Sequence, residues 1–326
     1  MCSNIPSQTF LLPHVMAKPA SGAECQWPQV TVVTVCYNAL QGGRRDLLLR
    51  NLASVQEQRG VQLEHLIIDG ASTDGTTDFI RAFENTRHEM RLLSLADKGI
   101  YEAMNRGIAL ARGQYVIFLN SDDCYHNADG LAAAVKALEH DASCDFTFGP
   151  ITPVGPHTRH SPHRNPEARL HKFTVFCTIP HPSILYRRQL LLDMGGYDVR
   201  YRSAADYDLN LRIIARGHRG RYVPENFVTF QAGGFSDVNR NGIALQEKVQ
   251  VVWEFHKDRF GADLSQDEAE KLVLRCRYPR RYLWLYKRAQ QLIRDSFLGL
   301  PMGIGPRLGR LFNYGKYYLY CLCMPG

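Results

Sequence analysis

Four short stretches of the 326-residue chain carry side chains that could do chemistry. The most compact is Asn120-Ser121-Asp122-Asp123, at the end of the apolar run Gln114–Asn120. A hard cation such as Mg2+ or Mn2+ takes one or two protein carboxylates and completes its shell with substrate phosphates. Carboxylates at a strand end can therefore hold a metal and, through it, a diphosphate. Alone, the segment reads equally well as a solvated turn, because Asn, Ser and Asp are favoured there. The second stretch is Leu63–Asp69 followed by Gly70-Ala71-Ser72-Thr73-Asp74-Gly75-Thr76. An acid in the place of Asp69 can accept a hydrogen bond from the ribose or base of a nucleotide. Asp74 has the plainer explanation of a helix cap. The third, Asp97-Lys98-Gly99, opens a helix. Lys98 is a cation set against the positive end of the helix dipole, a place that suits an anionic or polar ligand. Asp97 is explained as the cap. In the fourth, Ser203-Ala204-Ala205-Asp206, Asp206 can take the proton of an attacking hydroxyl. The same spacing has the form of a capping box, and one residue can serve in both ways.

These residues need elements to bring them together. Thr31–Tyr37 is a β-branched run bounded by Pro28 and Asn38, and it predicts a buried strand. A helix over 46–58 follows, with Leu48, Leu52 and Val55 on one face. Leu63–Asp69 predicts a second strand, then a helix to about Phe83. Arg91–Leu95 predicts a third strand. Tyr101, Met104, Ile108 and Ala111 then form the apolar stripe of a helix, and Gln114–Asn120 is the fourth strand. Such β/α alternation predicts a mostly parallel sheet covered by helices on both faces. Right-handed crossovers place all strand C-terminal ends on one rim, where open α/β sheets bind ligands. Asn38, Asp69 and Asp122 belong to that rim. Further on, residues 151–166 read as a loop, Ser183–Tyr186 as a strand, Gly195–Asp198 as a turn, 206–216 as a helix and Arg240–Arg259 as a longer one.

Together the segments TVVTVCYN, IIDGASTDGT, DKGIYEAMNRGI, YVIFLNSDD, HPSILYRR and AADYDLNLR resemble the family 2 glycosyltransferases, most closely those of bacterial exopolysaccharide and colanic acid assembly. The resemblance covers roughly residues 30–220. It implies a GT-A fold, an inverting single displacement, a divalent cation and a nucleotide-sugar donor, UDP-linked by expectation. Asp69 falls where the family binds the nucleoside. Val35, Tyr37 and Asn38 fall at the end of its first strand on the donor side, and Lys98, Gly99 and Asn105 fall in its third motif. Ser121 and Asp122 fall on the donor element, with Asp122 and Asp123 as metal ligands, and Asp206 falls on the catalytic base. Two positions depart from the pattern. Asn120 stands where an aspartate usually begins the metal motif, and Ala205 stands where an acid commonly precedes the base. His181, before Pro182, reads as a buried structural histidine that could line the acceptor side.

The chain carries a net charge of +7, unevenly spread. From Arg277 to Gly326 there are nine Lys/Arg and one acid, Asp295, with seven tyrosines and Trp284. Basic residues among aromatics suit an anionic membrane surface, and peripheral contact through 277–326 fits a lipid-linked saccharide acceptor. No nucleic-acid motif accompanies them. No run approaches the roughly 20 apolar residues of a spanning helix, and residues 1–29 lack the form of a signal peptide. The nine scattered cysteines suggest a reducing compartment. The expectation is therefore a cytoplasmic protein, peripheral at the inner membrane face. It has a lead-in over 1–29, a catalytic domain over 30–262 with its halves meeting at about 125, and a helical basic extension over 263–326. Two other functions remain in play. A sugar nucleotidyltransferase would use a glycine-rich basic loop, which Gly42-Gly43-Arg44-Arg45 echoes. A non-catalytic scaffold binding nucleotide sugar or polysaccharide would suit Asn120.

Overall fold

The computed structural model describes residues 27–84, 87–155, 167–225, 228–233, 242–276, 278 and 280–298. The expected lead-in up to residue 26 and the tail from 299 onward lie outside these residues, as does most of the predicted 151–166 loop.

The first half has the expected alternation. It runs β1 (Val30–Cys36), α1 (Arg45–Gln56), β2 (Leu63–Asp69), α2 (Thr76–Arg81), β3 (Glu89–Ser94), α3 (Ile100–Leu110) and β4 (Tyr115–Phe118). Strands β1, β2 and β4 are buried along their whole length. That is why β1 and β4 read as nearly continuous apolar or β-branched runs rather than as alternating ones, while β2 also buries Glu64, His65 and Asp69. The parallel register pairs Cys36 with Asp69 and Val33 with Phe118. Helix α3 lies close on β1, since a Cβ at Gly107 would stand 2.5 Å from Val33 Cγ1. Glycine is the only residue that admits this approach.

The second half widens the sheet. After β5 (Cys124–Tyr125), α4 (Gly130–His140), β6 (Phe146–Phe148) and β7 (Ile151–Val154) come β8 (Ile184–Arg187) and α5 (Arg188–Asp193). Next are α6 (Ala205–Ala215), β9 (Gly220–Tyr222), β10 (Val228–Gln231), α7 (Ile243–Phe260), α8 (Gln266–Arg275), α9 (Leu283–Ser296) and β11 (Phe297–Leu298). The main sheet has the order β11-β9-β6-β8-β4-β1-β2-β3. Its pairs are parallel except where β8 meets β4 and β6. A small second sheet, β5-β10-β7, stands beside it.

No break in packing marks the expected boundary at 262/263. Val251, Val252, Phe255, Val273, Leu292, Ile293 and Phe297 belong to the same apolar core as Val33 and Phe118. Strand β11 also hydrogen-bonds onto β9 at the sheet edge. Helices α8 and α9 and strand β11 are therefore part of the core layer, which buries their apolar stripe. Among the described residues, no helix is long and apolar enough to cross a membrane.

Candidate active site

The turns after β1 and β2 are laced together at the C-terminal rim. Asn38 takes a left-handed conformation (φ 46°), donates from its backbone to Ser72 Oγ at 2.7 Å and accepts from Thr73 N at 2.9 Å. Asp74 Oδ2 accepts from Leu40 N at 2.9 Å, and Asp74 Oδ1 from Thr76 N at 3.0 Å. Asp74 thus ties the two turns as well as starting α2. Asp69 sits at the strand end, where expected, but it is fully buried. Its oxygens accept from Ser72 N at 2.9 Å, Ser94 Oγ at 2.6 Å, Cys36 Sγ at 3.6 Å and, at short range, Ser72 Oγ. In place of a free nucleoside acceptor, the carboxylate is the anchor of the rim. Val35 is likewise buried within the core, so only its backbone could face a ligand.

One open patch remains on this rim. Tyr37 is 66% exposed, and a Cβ at Gly70 would lie 3.3 Å from its ring and 2.8 Å from Asp97 Oδ2. Asp97 Oδ1 accepts from Gly99 N at 2.9 Å, as a cap does, while the other oxygen reaches the rim. The sequence shows only the capping half of that role.

The FLNSDD turn is pinned from α1. Asn51 Nδ2 donates to the Asn120 carbonyl at 2.8 Å and to the Asp123 carbonyl at 2.9 Å. This splits the two aspartates. Asp122 opens onto a cavity of about 720 Å3, and its carboxylate pairs with Arg44. Asp123 points inward, fully buried, with Oδ1 accepting from Gln231 N at 2.9 Å. Burial, with the charge of Asp122 beside it, pushes the Asp123 carboxyl well above the usual carboxylate range. Its other oxygen, Oδ2, is buried with no hydrogen-bond partner among the described residues. Of the expected pair, Asp122 lines the cavity and Asp123 does not. Ser121 stays in the turn, half-buried. Asp122 alone can offer a carboxylate oxygen beside donor phosphates, which suffices for Mg2+ or Mn2+. Among the described residues, no cluster of three or more His, Cys, Asp or Glu side chains forms an all-protein metal site.

The same cavity receives Lys98 and Gly99 from the start of α3, and Asp206 from the start of α6. Tyr101 Oη donates to Asp206 Oδ1 at 3.1 Å. The expected capping box is not what starts this helix. Glu247 of α7 reaches across and accepts from the backbone N–H groups of Arg202 at 2.8 Å, Ser203 at 2.7 Å and Ala204 at 3.1 Å. A carboxylate there satisfies orphan donors and the helix dipole. It comes from far along the chain, so no local pattern could reveal it. His181 lines the cavity from below, is buried and shares a 2.8 Å hydrogen bond with Tyr197 Oη. Burial lowers its pKa and favours the neutral ring, the structural role expected of it. Arg169 and Arg202, which the motifs did not single out, supply cations, and Phe176, Tyr201 and Phe230 supply apolar wall.

Asn105 does not reach the cavity. Its Nδ2 donates to the Tyr197 carbonyl at 2.9 Å and its Oδ1 accepts from Tyr197 N at 2.8 Å. The expected donor contact is corrected to a clamp on the Gly195–Tyr197 turn, where Gly195 and Gly196 both have positive φ. Helix α3 therefore serves ligand space with its first turn and the neighbouring turn with its middle.

Comparison with known proteins gives this arrangement a family. A glycosyltransferase of PGL/p-HBAD biosynthesis from Mycobacterium bovis is 35% identical over 166 residues, covering 50% of this chain. The chain spans 63% of that relative's length. An uncharacterized glycosyltransferase from Mycobacterium tuberculosis is 33% identical over 189 residues, covering 57% of this chain and 68% of the relative. Among solved structures, Staphylococcus aureus TarS 1–349 in complex with UDP-GlcNAc superposes with a TM-score of 0.57 at 15% identity, covering 82% of this chain and 81% of TarS 1–349. The mannosyltransferase PcManGT from Pyrobaculum calidifontis, in complex with GDP-Man and Mn2+, gives 0.54 at 21% identity, covering 83% of this chain and 74% of its own. At those identities the likeness concerns the fold alone, which is GT-A. The sequence pattern of glycosyl transferase family 2 matches residues 31–195, more than half of the chain. The chain belongs to glycosyl transferase family 2.

Proposed function

We propose that the chain moves a sugar from a nucleoside-diphosphate sugar, UDP-linked, to a hydroxyl of a saccharide or lipid-linked saccharide, with inversion at the anomeric carbon. The observation that carries this reading is that Asp122 and Asp206, 84 positions apart in sequence, open onto one cavity at the C-terminal rim of the sheet. Asp206, steadied by Tyr101, accepts the proton of the acceptor hydroxyl. That oxygen forms its bond to the anomeric carbon as the bond to the diphosphate oxygen breaks, and the nucleoside diphosphate departs. A divalent cation held by Asp122 and the donor phosphates would offset the charge on that leaving group. Lys98 adds a fixed positive charge at the cavity wall. Tyr37 and Asp97 flank Gly70 where a nucleoside would rest. A role in bacterial surface polysaccharide assembly belongs to the same reading.

The assay is direct. The purified chain is given Mn2+, a panel of nucleotide sugars and candidate acceptors, and nucleoside diphosphate release is followed. Release from a UDP-sugar supports the reading. Pyrophosphate formed from a sugar phosphate and a nucleoside triphosphate would replace it with a nucleotidyltransferase. Donor binding without turnover across acceptors would replace it with a scaffold.

Membrane contact through the basic segment is part of the same proposal. Helix α9 exposes Leu283 and Trp284, and the Arg288 guanidinium lies 5.9 Å from the Trp284 ring centroid. Together with Arg281 and Lys287 this forms a basic, aromatic edge suited to anionic headgroups. Co-sedimentation with phosphatidylglycerol vesicles should fall in a Trp284→Ala/Arg288→Ala chain, and unchanged sedimentation sinks the idea.

A further inference from the structure

We propose that Arg44 is a ligand of the donor's diphosphate, held over the cavity by Asp122 until the cation and the donor arrive. This rests on the reading of the cavity as a nucleoside-diphosphate-sugar site. The two arginines that follow Gly42 and Gly43 part company. The guanidinium of Arg45 lies over the Phe79 ring, 4.9 Å from its centroid, and so faces α2. Arg44 turns to the other side and pairs through Nη2 with Asp122 Oδ2. Its side chain is 48% exposed while that of Asp122 is 15% exposed, so the pair spans the edge between solvent and cavity. Gly42 and Gly43 have φ of 66° and 76°, and no atom lies within 4 Å of where a Cβ would stand on either. The segment that carries Arg44 thus has space around it.

The chemistry follows from the shared carboxylate. An oxygen that ligates a divalent cation cannot keep a guanidinium at contact distance without placing two cations side by side, and that repulsion displaces the arginine. The diphosphate that completes the cation's shell brings new negative charge to the same place. The planar fork of Arg matches phosphate oxygens as well as carboxylate oxygens. Arg44 is therefore passed from Asp122 to the diphosphate, and a pair within the protein becomes a clamp on the ligand. Asn120 adds a reason. It leaves the turn one carboxylate short of the family pattern, and a second cation from the protein lets the diphosphate bind with less reliance on the metal.

The proposal predicts effects of opposite sign on two ligands. The full chain and its R44A and R44K variants are titrated with Mn2+ alone, followed by the Mn2+ paramagnetic resonance signal. They are then titrated with UDP and with GDP at saturating Mn2+, followed by calorimetry. R44A should bind Mn2+ about two- to five-fold tighter, because the carboxylate loses its competitor. It should bind the nucleoside diphosphate roughly ten-fold more weakly, the worth of a charge-assisted hydrogen bond. R44K keeps the charge without the fork and should recover part of that loss. If both affinities of R44A move in one direction, or neither moves, the proposal fails and the pair is only a surface contact. A parent chain that binds neither UDP nor GDP overturns the donor reading itself, a result distinct from any difference among the variants.

Discussion

In the turns after β1 and β2 the polar side chains are spent on one another, Asp69 on Ser72 and Ser94, Asp74 on Leu40 and Thr76, and Asn38 on Ser72 and Thr73. Across the rim, the cavity at the start of α6 is furnished differently. Lys98, Asp122, Arg169 and Asp206 face open space from four separate segments, and what fixes them is long-range, as Tyr101 fixes Asp206 and Glu247 fixes its helix. A rim whose polar groups satisfy one another presents a preformed backbone shape, which suits a ligand whose common part never changes. A cavity made of side chains on separate elements can change its walls without disturbing the sheet, which suits a variable acceptor. The contrast teaches that charge alone does not mark a ligand contact. Asp69 and Asp206 are both acids in family motifs, yet one is buried among the turns of the rim and the other faces the cavity.

The strongest test of that contrast is Asp206→Asn. It should lower kcat by about a thousandfold, within the usual range for loss of a general base, while donor affinity measured by calorimetry stays near that of the parent. A fall in donor affinity with kcat preserved would exchange the roles of the two regions. Asp69→Ala should act the other way. It leaves buried donors on Ser72 and Ser94 without an acceptor, which costs about 3 kcal/mol in a urea melt and weakens donor binding through the loosened turn. A variant as stable as the parent with donor binding lost would restore Asp69 as a direct contact.

Acid should then act on both halves alike. Burial pushes His65 on β2 down to about 3 and His256 on α7 down to about 4. Both rings are neutral in the fold, whereas an unfolded histidine takes a proton near pH 6.5. Stability is therefore complete above that pH and is lost as pH falls below it, by about 2 kcal/mol per histidine at pH 5. Equal urea midpoints at pH 7 and 5 would contradict this. The smallest effect belongs to Asn105→Ala. Loss of its two bonds to the Tyr197 backbone should cost about 1–2 kcal/mol of stability and leave donor affinity unchanged. A selective loss of donor binding would return Asn105 to the site.

The β/α alternation was legible in the sequence because buried parallel strands are continuous apolar runs and the helices between them show a clean stripe. Expected and observed elements agree closely up to β4. The second half was harder. Its strands are two to four residues long, and β8 runs against its neighbours. Short strands carry too few residues for a period to show. The extension from 263 looked separable because its charge differs from that of the body, yet α9 buries Leu292 and Ile293 in the main core and β11 extends the sheet. Composition reports the exposed face of a helix, while packing is decided by the other face.

For the site, residue type and position at a strand end or helix start were enough to nominate Asp69, Lys98, Asp122, Asp123 and Asp206, because those positions follow from the alternation itself. The direction each side chain takes was not. Asp122 and Asp123 are neighbours, and only the pinning of their turn by Asn51 sends one to the cavity and the other inward. Glu247 carries no motif at all, and Arg44 was legible only within the Gly-Gly-Arg-Arg echo of a nucleotidyltransferase loop, because their partners lie 43 to 45 and 78 positions away. A sequence determines what a segment can offer to its neighbours. Which offers meet is settled by tertiary packing, since burial decides whether a carboxylate is a charged ligand, a neutral core group or an anchor for a turn.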